Sequence, residues 1–300
     1  MSSPGAQSTP WQRLLRNGSA RWSMVVLAAM VAAAVLGPVL LPASARELTG
    51  NQFAPPSWTH PFGTDLHGQD MLYRVLTGAR VSLAVGISGA LISFFIGTAY
   101  GLVAGYAGGK TDGAMMRTVE ILYAIPRLII LLIAINAFDS RMKDWLVAVH
   151  AGDLVSYSRI VILVLSLGLI EWLTMARIVR GQVLALKSQQ FVLAAQSLGQ
   201  SHWKILTRHL LPNLVGVVII YLTLTVPAVI LDESFLSFLG LGIQAPQASW
   251  GSLLADGAQV INPVKSNWWL LAFPAAAMSV TLLALNFLGD ALRDALDPRA

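Results

Sequence analysis

Gly109-Lys110-Thr111 has the ending of a phosphate-binding loop, in which the lysine reaches a phosphate and the hydroxyl holds magnesium. The complete pattern requires glycine at position 104, and the chain has Ala104. Such a loop also joins a strand to a helix, whereas this triplet falls in a short turn between two apolar runs, so nucleotide chemistry is not expected here. The histidines, His60, His67, His150, His202 and His209, lack HExxH or paired-ligand spacing. No Ser, His and Asp set is arranged for hydrolysis, and the absence of cysteine removes disulfides, thiolate catalysis and Cys-based metal sites. Neither catalysis nor a bound cofactor or metal is expected from this chain.

The most informative segment is Arg177 to Asn213, which contains five Lys and Arg residues and no acidic one. Read as a helix, Phe191, Ala194, Ala195 and Leu198 fall at i, i+3, i+4 and i+7 and form a narrow apolar face. Gly199 supplies a stop. Ser201 caps a second short helix with Trp203, Leu206 and Leu210 on one side, and Pro212 marks its end. An amphipathic helix lying on lipid offers bulky anchors. Small residues such as Ala194 and Ala195 suit a close protein groove better, so the segment reads as a docking surface.

The elements that must position it follow from composition. The chain has 300 residues, 55% hydrophobic and 12% charged, with a mean hydropathy of +0.65. That is too apolar for a soluble domain and belongs in a lipid bilayer. Charge-poor stretches run from Trp22 to Pro42, Val81 to Ala107, Thr118 to Phe138, Leu154 to Ala176, Leu214 to Leu231 and Trp268 to Gly289. Most reach the ~20 residues that cross a ~30 Å hydrocarbon layer. An all-α, polytopic membrane protein with six transmembrane helices is expected, since long, unalternating runs exclude a barrel.

Lysine and arginine set the orientation. Arg13, Arg16 and Arg21 precede the first span, Lys110 and Arg117 lie in the second loop, and Arg293 and Arg299 lie at the C-terminus, on the same side as 177–213. The positive-inside rule then places both termini and the basic loop in the cytoplasm. The net charge of +5 follows from this topology, and without interleaved stacking aromatics it gives no nucleic-acid reading. The expected division is a tail at 1–21, a first helix at 22–42, an extracytoplasmic loop at 43–79, a transmembrane domain at 80–290 with its cytoplasmic loop at 177–213, and a tail at 291–300. The first apolar run ends near Ala43-Ser44-Ala45, a cleavage-like site, but is about 21 residues long. A signal peptide's apolar core is roughly 7 to 15, so an uncleaved helix is expected.

Charges inside apolar runs are costly unless paired or hydrated. Glu120 and Arg127 lie two turns apart, with Pro126 between them to kink the helix, and Glu120 is also placed to pair with Arg117 at i,i+3, the favoured reading. Arg127, Asp232 and Glu233 are candidates to line a translocation path. For Glu171, Asp232 and Glu233 an aqueous cavity and the interfacial zone are both open. Gly97, Gly101 and Gly105 form a small-residue ridge, for a helix of this chain or of a partner. Trp250, Trp268 and Trp269 read as an interfacial aromatic belt around a short re-entrant or surface helix.

The run LAAQSLGQSHWKILTRHLLPN resembles the EAA loop of ABC-importer permeases, with Ala194, Ala195, Gly199, Leu211 and Pro212 in register. Leu193 stands where the family usually has Glu, and His209 where it often has Ile. HPFGTDLHGQDMLYRVLTGARVSL, AGYAGGKTDGAMMRTVEILYAIP, ESFLSFLGLG, SWGSLLADG and NFLGDALRDALDPR are similar to segments of oligopeptide and dipeptide permease C subunits. The resemblance implies a type I ABC importer permease fold in the bacterial inner membrane. It implies a heterodimer with a homologous permease, two ATPase subunits that use ATP and Mg, an extracytoplasmic substrate-binding protein received on the outer surface, and a peptide substrate. Nickel, glutathione, opine or sugar systems and an ATP-independent secondary transporter are the alternatives. On this reading, a bulky residue at 199 or Ala195→Glu uncouples transport and leaves membrane insertion intact.

Overall fold

The computed structural model describes residues 10–260 and 266–296. The tails at 1–9 and 297–300, with Arg299, lie outside the described residues. The order is α1 (Pro10–Arg16), α2 (Gly18–Leu40), α3 (Met71–Ala107), α4 (Gly109–Ala124), α5 (Arg127–Ala148), α6 (Ser158–Lys187), α7 (Gln190–Ser197), α8 (His202–Lys204), α9 (Leu211–Phe238), α10 (Trp250–Val260) and α11 (Trp269–Leu296). A π-helical stretch, Ile205–Leu210, joins α8 to α9 in one helix, His202–Phe238. Among the described residues, five helices are long and apolar enough to cross a membrane. The sixth expected span is instead a pair, α4 and α5, bent by 87°. Pro126 lacks the N–H that would continue α4, and the extended backbone of Ile125 before it ends that helix.

α3 is the central mast. Asp70 caps it by accepting hydrogen bonds from the Leu72 and Tyr73 N–H groups at 2.8 and 3.3 Å. Its Gly97, Gly101 and Gly105 ridge packs inside this chain: a Cβ on Gly97 would stand 2.5 Å from Met175 Cβ, and one on Gly101 would stand 2.5 Å from the Ala176 carbonyl oxygen. The ridge lets α6 approach to backbone contact. In α2, Pro38 has no N–H for the carbonyl four residues back, Ala34; Arg80 of α3 donates to that oxygen at 3.2 Å and to Val35 O at 3.0 Å.

One end of the bundle gathers 41–70, 149–157, 239–260 and 266–268. There Trp250 and Trp269, expected in an aromatic belt, are buried, and their indole N–H groups donate to the carbonyls of Val75 and Thr64, both at 3.2 Å. They pin α10 and α11 to α3 and its preceding loop. Trp268 is exposed. Arg74 bridges Asp65 at 2.5 Å and Asp256 at 3.4 Å. Burial pushes the Asp256 carboxyl above its ordinary value, and Arg74 opposes the rise. The opposite end carries the α3–α4 turn, residues 188–201, and α1, whose Leu14 packs on Ala291 and Ala295 of α11. Both described termini therefore share an end with the basic segment.

Several expected boundaries move. α3 starts at Met71, inside the expected loop 43–79, and α6 runs through to Lys187, so 177–187 is helix rather than loop. His202–Phe238 takes in the last part of 177–213 as well. Of 177–213, the stretch left outside those two long helices is 188–201.

Candidate functional site

The projecting segment is built on α7. Val192 and Ala195, the latter 3% exposed, pack against Ile205, Leu210 and Leu214 and against Val179 and Val183 of α6. Phe191, Ala194 and Leu198 point away from that core with Leu193, and Leu198 is 80% and Trp203 73% exposed. The expected apolar face is thus divided. Ala195 is a foundation residue, turned inward because the second helix folds back over that side of α7, and an outward patch is left on Phe191, Ala194, Leu198 and Trp203.

Gly199 ends α7 as expected. Its φ is +71°; its N–H donates to Gln196 O at 3.0 Å, and the Gln200 N–H donates to Ala195 O at 3.1 Å, the paired bonds of a Schellman stop. Ser201 caps the next helix, with Lys204 N donating to its Oγ at 3.4 Å. Pro212 does not end that helix. The Leu211 N–H reaches back to Leu206 O, an i→i+5 turn whose wider spacing accommodates the proline ring, and the chain continues into α9. The same turn rotates the side chains, so Leu210 is buried while Trp203 is exposed, and the expected Trp203, Leu206 and Leu210 face does not form.

The base of the segment is clamped to the α3–α4 turn. Tyr106 Oη lies 2.8 Å from His202 Nδ1, and Lys187 Nζ donates to the Tyr106 carbonyl oxygen. Arg180 makes a two-pronged contact with Asp112, at 2.5 and 2.6 Å. Gly109-Lys110-Thr111 forms the first turn of α4 and follows a helix, not a strand. His209 is 2.8 Å from Gln200 and His60 2.9 Å from Asp70. Among the described residues, no group of three or more metal-type ligands is gathered.

A second feature lies where α4 bends into α5. Arg127 donates to both Glu171 of α6 and Asp232 of α9. Arg127 is 40% exposed at its side chain, and a cleft of about 150 Å³ lies beside it, lined in part by Tyr123, Glu171 and Thr174. The bend separates Arg127 from Glu120, which pairs with Arg117 at 3.2 Å. Glu233 departs from expectation. One residue along the helix from Asp232, it turns into the bundle, fully buried, and accepts hydrogen bonds from Ser237 at 2.6 Å and Ser82 at 3.3 Å. It is a core carboxyl among serines and lines no open path. Ser234 and Ser237, adjacent to Glu233 and one turn on, were the sequence signal for that knot. The Arg180–Asp112 clamp, separated by 68 residues, left no signal.

These geometries can be set beside known proteins. The family model "Binding-protein-dependent transport system inner membrane component" matches residues 97–300, and "N-terminal TM domain of oligopeptide transport permease C" matches 5–56. The dipeptide transport system permease protein of Bacillus subtilis is 44% identical, over 96% of this chain and 84% of that one. Oligopeptide transport system permease proteins of Haemophilus influenzae and Escherichia coli K12 are each 42% identical over 96% of this chain, and over 88% and 91% of their own. A solved chain of the MetNI methionine ABC transporter, in an inward-facing form, shares the fold with a TM-score of 0.56 at 18% identity, over 76% of this chain and 98% of that one. By its sequence, this chain belongs to the family of binding-protein-dependent transport system inner membrane components.

Proposed function

We propose that the chain is one of two homologous permease subunits of a bacterial ABC importer that carries peptides across the cytoplasmic membrane. ATP and magnesium bind to two separate ATPase subunits, and an extracytoplasmic binding protein delivers the peptide to the end formed by 41–70, 149–157, 239–260 and 266–268. The observation that carries this reading is the exposed patch formed by Phe191, Ala194 and Leu198 of the glycine-stopped α7 segment and by Trp203 at the start of the next helix, at the basic end. That end, with both termini, faces the cytoplasm, where an ATPase groove receives it. The peptide substrate rests on the named activities of relatives that align over nearly the whole chain.

Motion of the ATPases is transmitted through α7 to α6 and to the continuous helix His202–Phe238, which moves the helices bearing Arg127, Glu171 and Asp232. The chain itself performs no covalent step. The test is co-purification from membranes, followed by peptide uptake into proteoliposomes loaded with ATP. Uptake that needs ATP and the binding protein supports the reading. Uptake by this chain alone, driven by an ion gradient, overturns it.

A further inference from the structure

A cavity between the end of α5, the start of α6 and residues 243–247 belongs neither to the projecting segment nor to the Arg127 cluster. It measures about 200 Å³, and its polar lining is Lys143, Ser156, Ser158, Arg159, Gln244 and Gln247. Arg159 is held in place by the opposite wall: Nε donates to Gly242 O at 2.6 Å and Nη2 to Leu241 O at 3.0 Å. Lys143 Nζ is 2.7 Å from Asp139 Oδ2, and Arg159 Nη1 is 3.8 Å from the same oxygen. Two cations against one carboxylate leave the site positive, and Asp139 is not among the lining residues.

The second observation is an unused donor. Ser158 is 1% exposed, yet its Oγ has no hydrogen-bond partner among the described residues. A buried hydroxyl is ordinarily paired. Beside it, an ammonium has three N–H donors, of which Asp139 occupies one. A carboxylate, with two oxygens that accept several bonds, fits an ammonium and a hydroxyl contributed by two helices to one cavity. The amides of Gln244 and Gln247 both donate and accept, as the adjoining peptide unit requires. The cavity is smaller than the ~300 Å³ at which whole-ligand pockets begin, so it takes one end of a ligand.

We propose that this cavity is a subsite for the C-terminal carboxylate of the peptide as it enters the permease, with Lys143 and Ser158 as the recognising groups. The proposal rests on the peptide-permease reading above and adds the terminus that is recognised and its place.

The test uses the assembled importer in nanodiscs and a tripeptide probe, Ala-Ala-(4-benzoyl)Phe, cross-linked by light and mapped by mass spectrometry. Label is expected on 155–160 or 243–247, displaced by Ala-Ala-Phe and at least about tenfold less effectively by its C-terminal amide, the loss of one charge-assisted contact. Lys143→Gln and Ser158→Ala, the latter close in volume and unchanged in charge, each reduce labelling at least about fivefold. Equal displacement by acid and amide overturns the subsite, as does label elsewhere or loss of label when anionic phosphatidylglycerol replaces part of a neutral lipid. Wild-type uptake of Ala-Ala-Phe is measured in parallel with the same importer in ATP-loaded proteoliposomes. No uptake overturns both readings, whereas uptake with equal displacement overturns the subsite alone.

Discussion

The phenolic oxygen of Tyr106 lies 2.8 Å from His202 Nδ1, across 96 residues of sequence. This contact joins the last turn of α3 to the first residue of the helix that carries α9, so the projecting segment is braced at its root. Removing the hydroxyl with Tyr106→Phe keeps the ring under Lys187 and deletes one hydrogen bond, a loss of about 1 kcal/mol. Peptide transported per ATP hydrolysed is expected to fall severalfold with little change in membrane insertion. An unchanged ratio in proteoliposomes refutes the bracing role.

Neighbouring alanines on α7 are expected to behave differently. Ala194→Glu places a carboxylate on the exposed patch, so the thermal midpoint stays near wild type while ATPase subunits are lost on co-purification. Ala195→Glu drives a charge into the cluster of Val192, Ile205 and Leu210 and costs several kcal/mol of stability. Midpoints measured by fluorescence in detergent separate the two. Equal midpoints would sink the division of the face.

Gly199 adopts φ +71° with nothing within 4 Å of an added Cβ, so backbone conformation alone decides what it tolerates. Gly199→Asn is expected to retain coupling, and Gly199→Val to lose about 1–2 kcal/mol of local stability. Limited proteolysis between Ser197 and His202 should quicken only in the valine variant.

Arg127 neutralises part of two carboxylates on different helices. Arg127→Met leaves Glu171 and Asp232 facing each other, and about 2 kcal/mol is expected to be lost, less than for a fully buried pair because the arginine is 40% exposed at its side chain. Adding Glu171→Gln to that variant should recover stability. A double-mutant cycle with no coupling energy would show that the cluster is ornamental to the fold.

Much of the membrane architecture is legible in the residues themselves, because spans follow from apolar length, and the stop at Gly199 and the cap at Ser201 from local chemistry. The small-residue ridge of α3 gives its close packing in advance but not its partner, which depends on where α6 lies. What escapes is direction. Ala194 and Ala195 are both small and both on the periodic face, and only the return of Ile205 and Leu210 over α7 decides which is covered. Asp232 and Glu233 likewise look alike until the helix turn sends one toward Arg127 and the other among serines. The turn at Pro126 is announced by a proline, but its 87° size and the contacts of Arg127 with two other helices depend on where α6 and α9 lie.

His202 and Asp232 ride on one helix that passes through the π-helical turn at Ile205–Leu210, and 30 residues at ~1.5 Å each separate them by about 45 Å. Over that length a tilt of only a few degrees at its foot displaces its far end by angstroms, enough to open or close a charged contact. On the proposed reading, a displacement at the foot of this helix reaches the Arg127–Asp232 contact through the helix backbone itself.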